Sequence, residues 1–329
     1  MLNLAAKIKQ RLRWKAIDFK HKLGFDKNFY STQPGGRLII YHGIDLSGRT
    51  DFNSRFISVE EFEKQLIWFK EYCEVVSLED YYKGIRHPNK LTVAISFDDG
   101  YKNNFTLALP LLEKYQIPAT FFVTTSPLEG LNILWPDLLD MAGFFLNAEL
   151  IYKDDKFIYS KHKGYISITN GSNLKSYLMN ADLNSIRTFI KDHLFLLKEI
   201  QTNECKLYWE LMNEEELRAA SKSPYITLGS HSVVHSSMTK ISSAEAREEL
   251  INSRSRLSEI TNLPVTFFAF PFGDYTPELV QMAVSVGYEQ VACVDYRFGS
   301  QKNLIDRFGI NPHISFPVQV AEIKRGSYL

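Results

Sequence analysis

Cysteine is scarce in this 329-residue sequence: Cys73, Cys205 and Cys293 are the only three, odd in number and far apart. That excludes a CxxC metal pair and a disulfide framework, and leaves three reduced thiols that pack as small apolar side chains. Long apolar runs are also missing. Nothing approaches the roughly 20 residues that span a bilayer. No apolar stretch of about 7–15 residues follows the basic start, as a secretory signal requires. The expectation is therefore a protein of the cytoplasm or of the inner membrane surface. Neither sign of charge is in excess, because 38 Lys and Arg balance 38 Asp and Glu. No global field selects nucleic acid, which is not expected as a partner. Internal repeats and Pro/Ser-rich linkers are absent. The remaining composition, 45% hydrophobic and 23% charged, is that of a globular chain, long enough for one large domain or two ordinary ones.

One charge asymmetry stands out. Residues 1–27 carry Lys7, Lys9, Arg11, Arg13, Lys15, Lys20, Lys22 and Lys27 against Asp18 and Asp26. Leu4, Ile8, Leu12, Ile17 and Leu23 come close to helical spacing. Residues 1–30 are thus expected to contain a basic helix. Two readings stand for it: peripheral contact with a membrane or polymer surface through residues 1–27, or a solvated helix packed on its own domain.

Beyond residue 30, short β-type runs stop at polar or Gly-containing turns. Residues 37–41 end at His42-Gly43, 91–97 at Asp98-Asp99-Gly100, 119–123 at Thr124, 225–228 at Gly229-Ser230-His231, 265–270 at Pro271-Phe272-Gly273, and 291–294 at Asp295. Helical segments lie between them. Ser58 with Glu61, and Ser242 with Glu245, are capping-box signals for helices running to about Tyr72 and Ile260. Thr276-Pro277 places an N-cap and a first-turn proline before another, and residues 104–115 read as a fourth. The alternation predicts a mainly parallel sheet, whose strand ends gather on one face. Residues 127–205 break the alternation and are too many for a structureless loop. They read as an inserted α+β segment beside the site, with a hairpin around Asp154-Asp155 and a helix over 183–200. The predicted organisation is a helix in 1–30, a main domain from 31–126 and 206–329, and the insertion 127–205.

Chemistry is concentrated at two of the strand ends. Adjacent carboxylates at Asp98 and Asp99 repel and lose hydration near a core, so something positive must compensate them. Their side chains diverge, which lets one bind a cation while the other takes a proton. His231 and His235 stand four apart and meet on one face if the segment is helical. Position 232 is Ser, so HExxH mechanics are absent. One carboxylate and two imidazoles leave open positions on a metal for water and substrate; zinc suits them, and so does non-haem iron. A water there is acidified, and Asp98 is positioned to accept its proton. Backbone N–H groups in Phe270–Gly273 are candidates to stabilise a developing oxyanion.

With Ser96-Phe-Asp-Asp-Gly100 and His231-Ser-Val-Val-His235 in this order, the chain resembles the polysaccharide deacetylase family, the NodB-homology carbohydrate esterases. Tyr41-His42-Gly43 and Ile117-Pro-Ala-Thr-Phe-Phe122 look like the family too. The resemblance covers about 31–126 and 206–329. It implies a deformed (β/α) barrel, a divalent metal (most often Zn2+), and hydrolysis of an N-acetyl group on a sugar, glycan or lipid-linked precursor. It implies Asp98 as general base, Asp99, His231 and His235 as metal ligands, and the Phe272 N–H at the oxyanion. Tyr41 and His42 are expected to contact substrate.

Two departures from the family pattern matter. The third motif lacks its base-orienting arginine, for which Arg307 or Arg297 is the expected substitute. The late histidine that protonates the leaving amine is assigned to His313, with His42 as rival. Trp135 and Trp209 are the aromatic residues expected to pack on sugar. Competing readings are a glycan-binding protein with degraded catalysis, a hydrolase of a non-sugar C–N amide on the same fold, and an iron oxygenase.

Overall fold

A computed structural model describes residues 4–24, 28–51, 54–299 and 301–328. The chain opens with helix α1 (Leu4–Lys22). Strands β1 (Gly35–Tyr41), β2 (Gly43–Asp45) and β3 (Phe56–Ser58) lead into α2 (Val59–Tyr72). Ser58 caps α2 by accepting from the Glu61 N–H, as the sequence predicts. Next come β4 (Cys73–Val75), α3 (Leu78–Tyr82), β5 (Leu91–Phe97), a π turn (Asn104–Ala108), α4 (Leu109–Tyr115) and β6 (Ala119–Val123). The insertion contributes α5 (Trp135–Met141), β7 (Leu150–Tyr152), β8 (Asp155–Ser160), β9 (Gly164–Ser167), α6 (Leu174–Met179), α7 (Leu183–His193) and α8 (Asn203–Lys206). The chain then returns through α9 (Glu214–Ala220), β10 (Ile226–Ser230), α10 (Ser243–Thr261), β11 (Phe267–Ala269), α11 (Pro277–Ser285), β12 (Gln290–Ala292), β13 (Leu304–Ile305), β14 (Phe308–Gly309) and α12 (Phe316–Arg325).

The main sheet is parallel, in the order β13-β12-β11-β10-β6-β5-β1-β14, with β4 also on β5. Its central strands β5 and β6 are buried on both faces along their whole length, as their near-continuous apolar runs require. The sheet curls into a half-barrel. β13 and β14 are only three residues apart in sequence yet lie at opposite ends of the strand order, β13 on β12 and β14 on β1. Residues 304–309 therefore run along the seam where the two edges approach. Each parallel strand delivers its carboxyl end to the same rim, so His42, Asp98, Thr124 and His231 all leave the sheet on one side.

The insertion has its own apolar cluster, which includes Trp135, Leu138, Phe157, Ile186 and Phe189 and continues into Phe56, Tyr101, Val233 and Val234 of the main domain. Its hairpin forms one residue earlier than predicted. Lys153 and Asp154 take the two central turn positions, with φ of 50° and 61°, the left-handed pair of a tight hairpin turn. A third strand, β9, follows, and the expected 183–200 helix tightens into a 3₁₀ segment after His193.

Candidate active site

Asp98 and Asp99 follow β5 directly. Asp99 and Gly100 are both left-handed (φ 76° and 86°), and this turn sends the two carboxylates in different directions. A Cβ on Gly100 would meet Val123 at 2.9 Å, so only glycine closes the turn against β6. Asp98 faces the seam. Arg307 grips it with both arms, Nη1 to Oδ1 at 2.6 Å and Nη2 to Oδ2 at 2.8 Å. Burial opposes the charge of Asp98, but Arg307 and His231 outweigh it and hold the carboxyl below its usual range.

Asp99 faces the histidines. Its Oδ1 lies 3.2 Å from His235 Nε2 and 3.5 Å from His231 Nε2. The His231–His235 segment is not helical. Ser232 and His235 have φ of 69° and 54°, and the Ser232 hydroxyl accepts from the His235 N–H. The loop is held from behind by Glu249 of α10, fully buried, whose Oε2 accepts from the Val233 and Val234 N–H groups at 2.9 and 3.1 Å. A loop pinned in this way brings two imidazoles together without helical spacing.

The atoms fit a cation. The ligand atoms of Asp99, His231 and His235 lie within 4.8 Å of one another. Asp99 Oδ1 is buried with no well-formed hydrogen bond, an orphan that a cation would satisfy. His231 Nδ1 lies 2.8 Å from the Ala269 carbonyl. A carbonyl only accepts, so Nδ1 carries the proton and Nε2 offers its lone pair to the site.

Arg55 and Asp137 are additions that sequence reading missed. Arg55 donates to Asp99 Oδ2 at 3.2 Å and to Asp137 Oδ1, while Tyr101 donates to Asp137 Oδ2 at 2.8 Å. Asp137 belongs to the insertion, in Trp135-Pro-Asp137, so the insertion reaches the proposed ligand through one arginine. Neither residue lies in a recognisable motif; a lone charge before β3 and another after a proline gave no signal. Trp135 Nε1 also donates to the His235 carbonyl at 3.1 Å.

These groups open into a cavity of about 440 Å³, lined among others by Ile40, His42, Arg55, Asp140, Lys175 and Phe272. A larger one, about 540 Å³, lies on the insertion around Tyr152, Phe157 and Tyr177 and shares none of the site residues. Phe272 sits in a turn with φ of 58°, its ring edge-on to His235 at 4.5 Å between centroids. His42 lines the same cavity, where burial lowers its imidazole to about 4.

Several expectations need correcting. Tyr41 points away from the cavity: strand alternation sends Ile40 and His42 to it and Tyr41 into the core, where its hydroxyl bonds Gln65. His313 is exposed on the loop that turns into α12, its N–H on Asn311 Oδ1, and it does not line the cavity. Arg297 pairs with Asp274 and Asp295 instead of Asp98. Trp135 and Trp209 are core residues, 0% and 4% exposed, and offer no sugar platform.

The sequence pattern described as Polysaccharide deacetylase matches residues 86–142 and 173–291. The chain belongs to this family. Its curated relatives include a poly-beta-1,6-N-acetyl-D-glucosamine N-deacetylase of Staphylococcus epidermidis, 25% identical over 54% of this chain and 62% of the relative. Enzymes of the same name from Staphylococcus aureus are 23% identical over 63% of this chain and 72% of theirs. Similar solved structures include the Streptococcus pyogenes deacetylase PplD with acetate (TM-score 0.55, 16% identity, 89% of this chain and 98% of that one). IcaB from Ammonifex degensii is also similar (TM-score 0.53, 16% identity, 91% and 99%). At such identities the structures speak for the fold, a NodB-type curled barrel.

Proposed function

We propose that this protein is a metal-dependent N-deacetylase of a glycan rich in N-acetylglucosamine, of the kind named for its staphylococcal relatives. One observation carries the reading: a carboxylate clamped by an arginine, Asp98, stands beside a three-ligand trio with an orphaned oxygen, in one cavity at the sheet rim. Asp99, His231 and His235 would hold the ion, for which Zn2+ suits the N/O donor set. A divalent metal there supplies positive charge that polarises an acetyl carbonyl and acidifies water.

The chain's own groups do the rest. Asp98, kept anionic by Arg307, takes a proton from the attacking water as oxygen bonds to the acetyl carbon. The Phe272 N–H is assigned to the developing oxyanion. As the C–N bond breaks, the proton held on Asp98 passes to the departing nitrogen, giving acetate and a free amine. His42 is neutral at pH 7 in the free site and orients that nitrogen as a hydrogen-bonding group. Arg55, fixed by Asp137, holds Asp99 so that Oδ1 faces the imidazoles. A purely glycan-binding role drew support from the arginine missing in the third motif and from the unassigned general acid; Arg307 on Asp98 answers the first of these.

The test is mass spectrometry of β-1,6-linked N-acetylglucosamine oligomers and lipid-linked N-acetylated sugars incubated with zinc-loaded protein. Loss of acetyl groups, and its abolition in Asp98→Asn with metal still bound, is the expected result. Tight oligomer binding without acetate release would overturn it.

A further inference from the structure

Helix α1 is held to the fold along one side, and an apolar stripe on its other side is left exposed. On the inner side, Gln10 and Arg13 donate to the Tyr328 carbonyl, and Arg13 and Trp14 both donate to Glu322 of α12. His21 pairs with Tyr30, and Ser315 with Asp18. The packing half of the sequence-based expectation is therefore what the structure shows. At 3.6 residues per turn, Ile8, Leu12, Phe19 and Leu23 fall within an arc of about 60° on the opposite side. They are 51%, 62%, 64% and 50% exposed, a density of large apolar side chains that a solvated helix has no reason to keep.

The stripe is flanked on both sides by cations: Arg11, Lys15 and Lys22 along one border, Lys9 and Lys20 along the other. Among the described residues none of these five, nor Lys7, is in ion-pair contact with a carboxylate. The helix carries one acid, Asp18, on its inner border and bonded to Ser315. The helix is too polar to cross a bilayer, as no described helix is long and apolar enough to do so.

We infer that the outward face of α1 is a docking surface for an anionic lipid bilayer. The four apolar side chains enter the headgroup boundary, and the lysines on either border meet lipid phosphates. Charge decides the occupant. A second copy approaching through the same face would set cations against cations, whereas an anionic membrane complements the stripe and both borders. Residues 1–3 and 25–27, including Asp26 and Lys27, lie outside the described residues and take no part in the argument.

The test is sedimentation of the full chain with vesicles of phosphatidylcholine alone or with added phosphatidylglycerol. Binding is expected to the anionic vesicles only and to weaken with salt. Leu12→Ser/Phe19→Ser should lower partitioning roughly tenfold or more, and Lys9→Gln/Lys20→Gln should flatten the salt dependence. Both variants should keep the parent circular dichroism and melting temperature, since all four side chains are exposed. Equal partitioning of parent and Leu12→Ser/Phe19→Ser would overturn the inference. So would no binding to anionic vesicles, or a lipid-free dimer by light scattering that the same substitutions abolish.

Discussion

Arg307 holds both carboxylate oxygens of Asp98 across 209 positions of sequence. It reaches them because residues 304–309 occupy the seam between the two sheet edges. Its position is further fixed by a bond from Nε to the Cys293 carbonyl and by the Phe122 ring beneath its guanidinium. Replacing Arg307 by Met should lower kcat roughly 10²–10³-fold. The base works only when ionised, so activity falls as pH drops through the Asp98 pKa. With the arginine gone, burial dominates and that acid limb should move to higher pH. Arg307→Lys should restore part of both changes, and Arg297→Met should alter neither. A kcat/KM profile with an unmoved acid limb would separate Arg307 from the base.

The two candidate histidines give opposite expectations. His42→Ala should cost about 10²-fold in kcat, while His313→Ala should leave kcat and KM at parental values. If His42 acts as a neutral hydrogen-bonding group, His42→Gln should recover much of the loss. A glutamine variant as inactive as alanine would instead assign His42 a proton-transfer role.

Asp137 should act on the ion site from outside it. Burial pushes its carboxyl up to about 7, although Arg55 favours the charged form. Asp137→Ala frees Arg55 and leaves Asp99 unsupported. Zinc affinity should drop about 10–100-fold, measured by competition with a chelator, while the fold is retained. Unchanged zinc affinity would show that the insertion does not support the site.

Glu249 predicts a pH dependence of stability. Burial raises its carboxyl from 4.5 to about 7, against the opposing pull of the Val234 and Val233 N–H groups. Between those values the folded protein keeps a proton that the unfolded chain has lost. This group therefore makes stability fall as pH rises from about 5 to 7, by at most ~3 kcal/mol, and has no such effect below its unfolded pKa. Denaturant unfolding of Glu249→Gln should show that part of the slope removed. A slope identical to the parent would mean the carboxylate is ionised throughout.

Local sequence by itself determined the backbone-encoded parts of the protein: the apolar runs that become parallel strands, the Ser58, Ser242 and Thr276 caps, and the short motifs carrying Asp98, Asp99, His231 and His235. These depend on neighbours a few residues away, and parallel strands deliver their ends to one rim whatever their order. Tertiary structure alone decided which distant groups meet them. Arg307 reaches Asp98 through the seam and Arg297 does not. Strand alternation puts His42 in the cavity and Tyr41 in the core, and the turn into α12 takes His313 outside. Closing the insertion's core buries Trp135 and Trp209 while Asp137 comes to Arg55. Periodicity along a chain encodes which face a residue takes within its own element; which other element covers that face is set by sheet order and packing, and no short stretch of sequence carries that information.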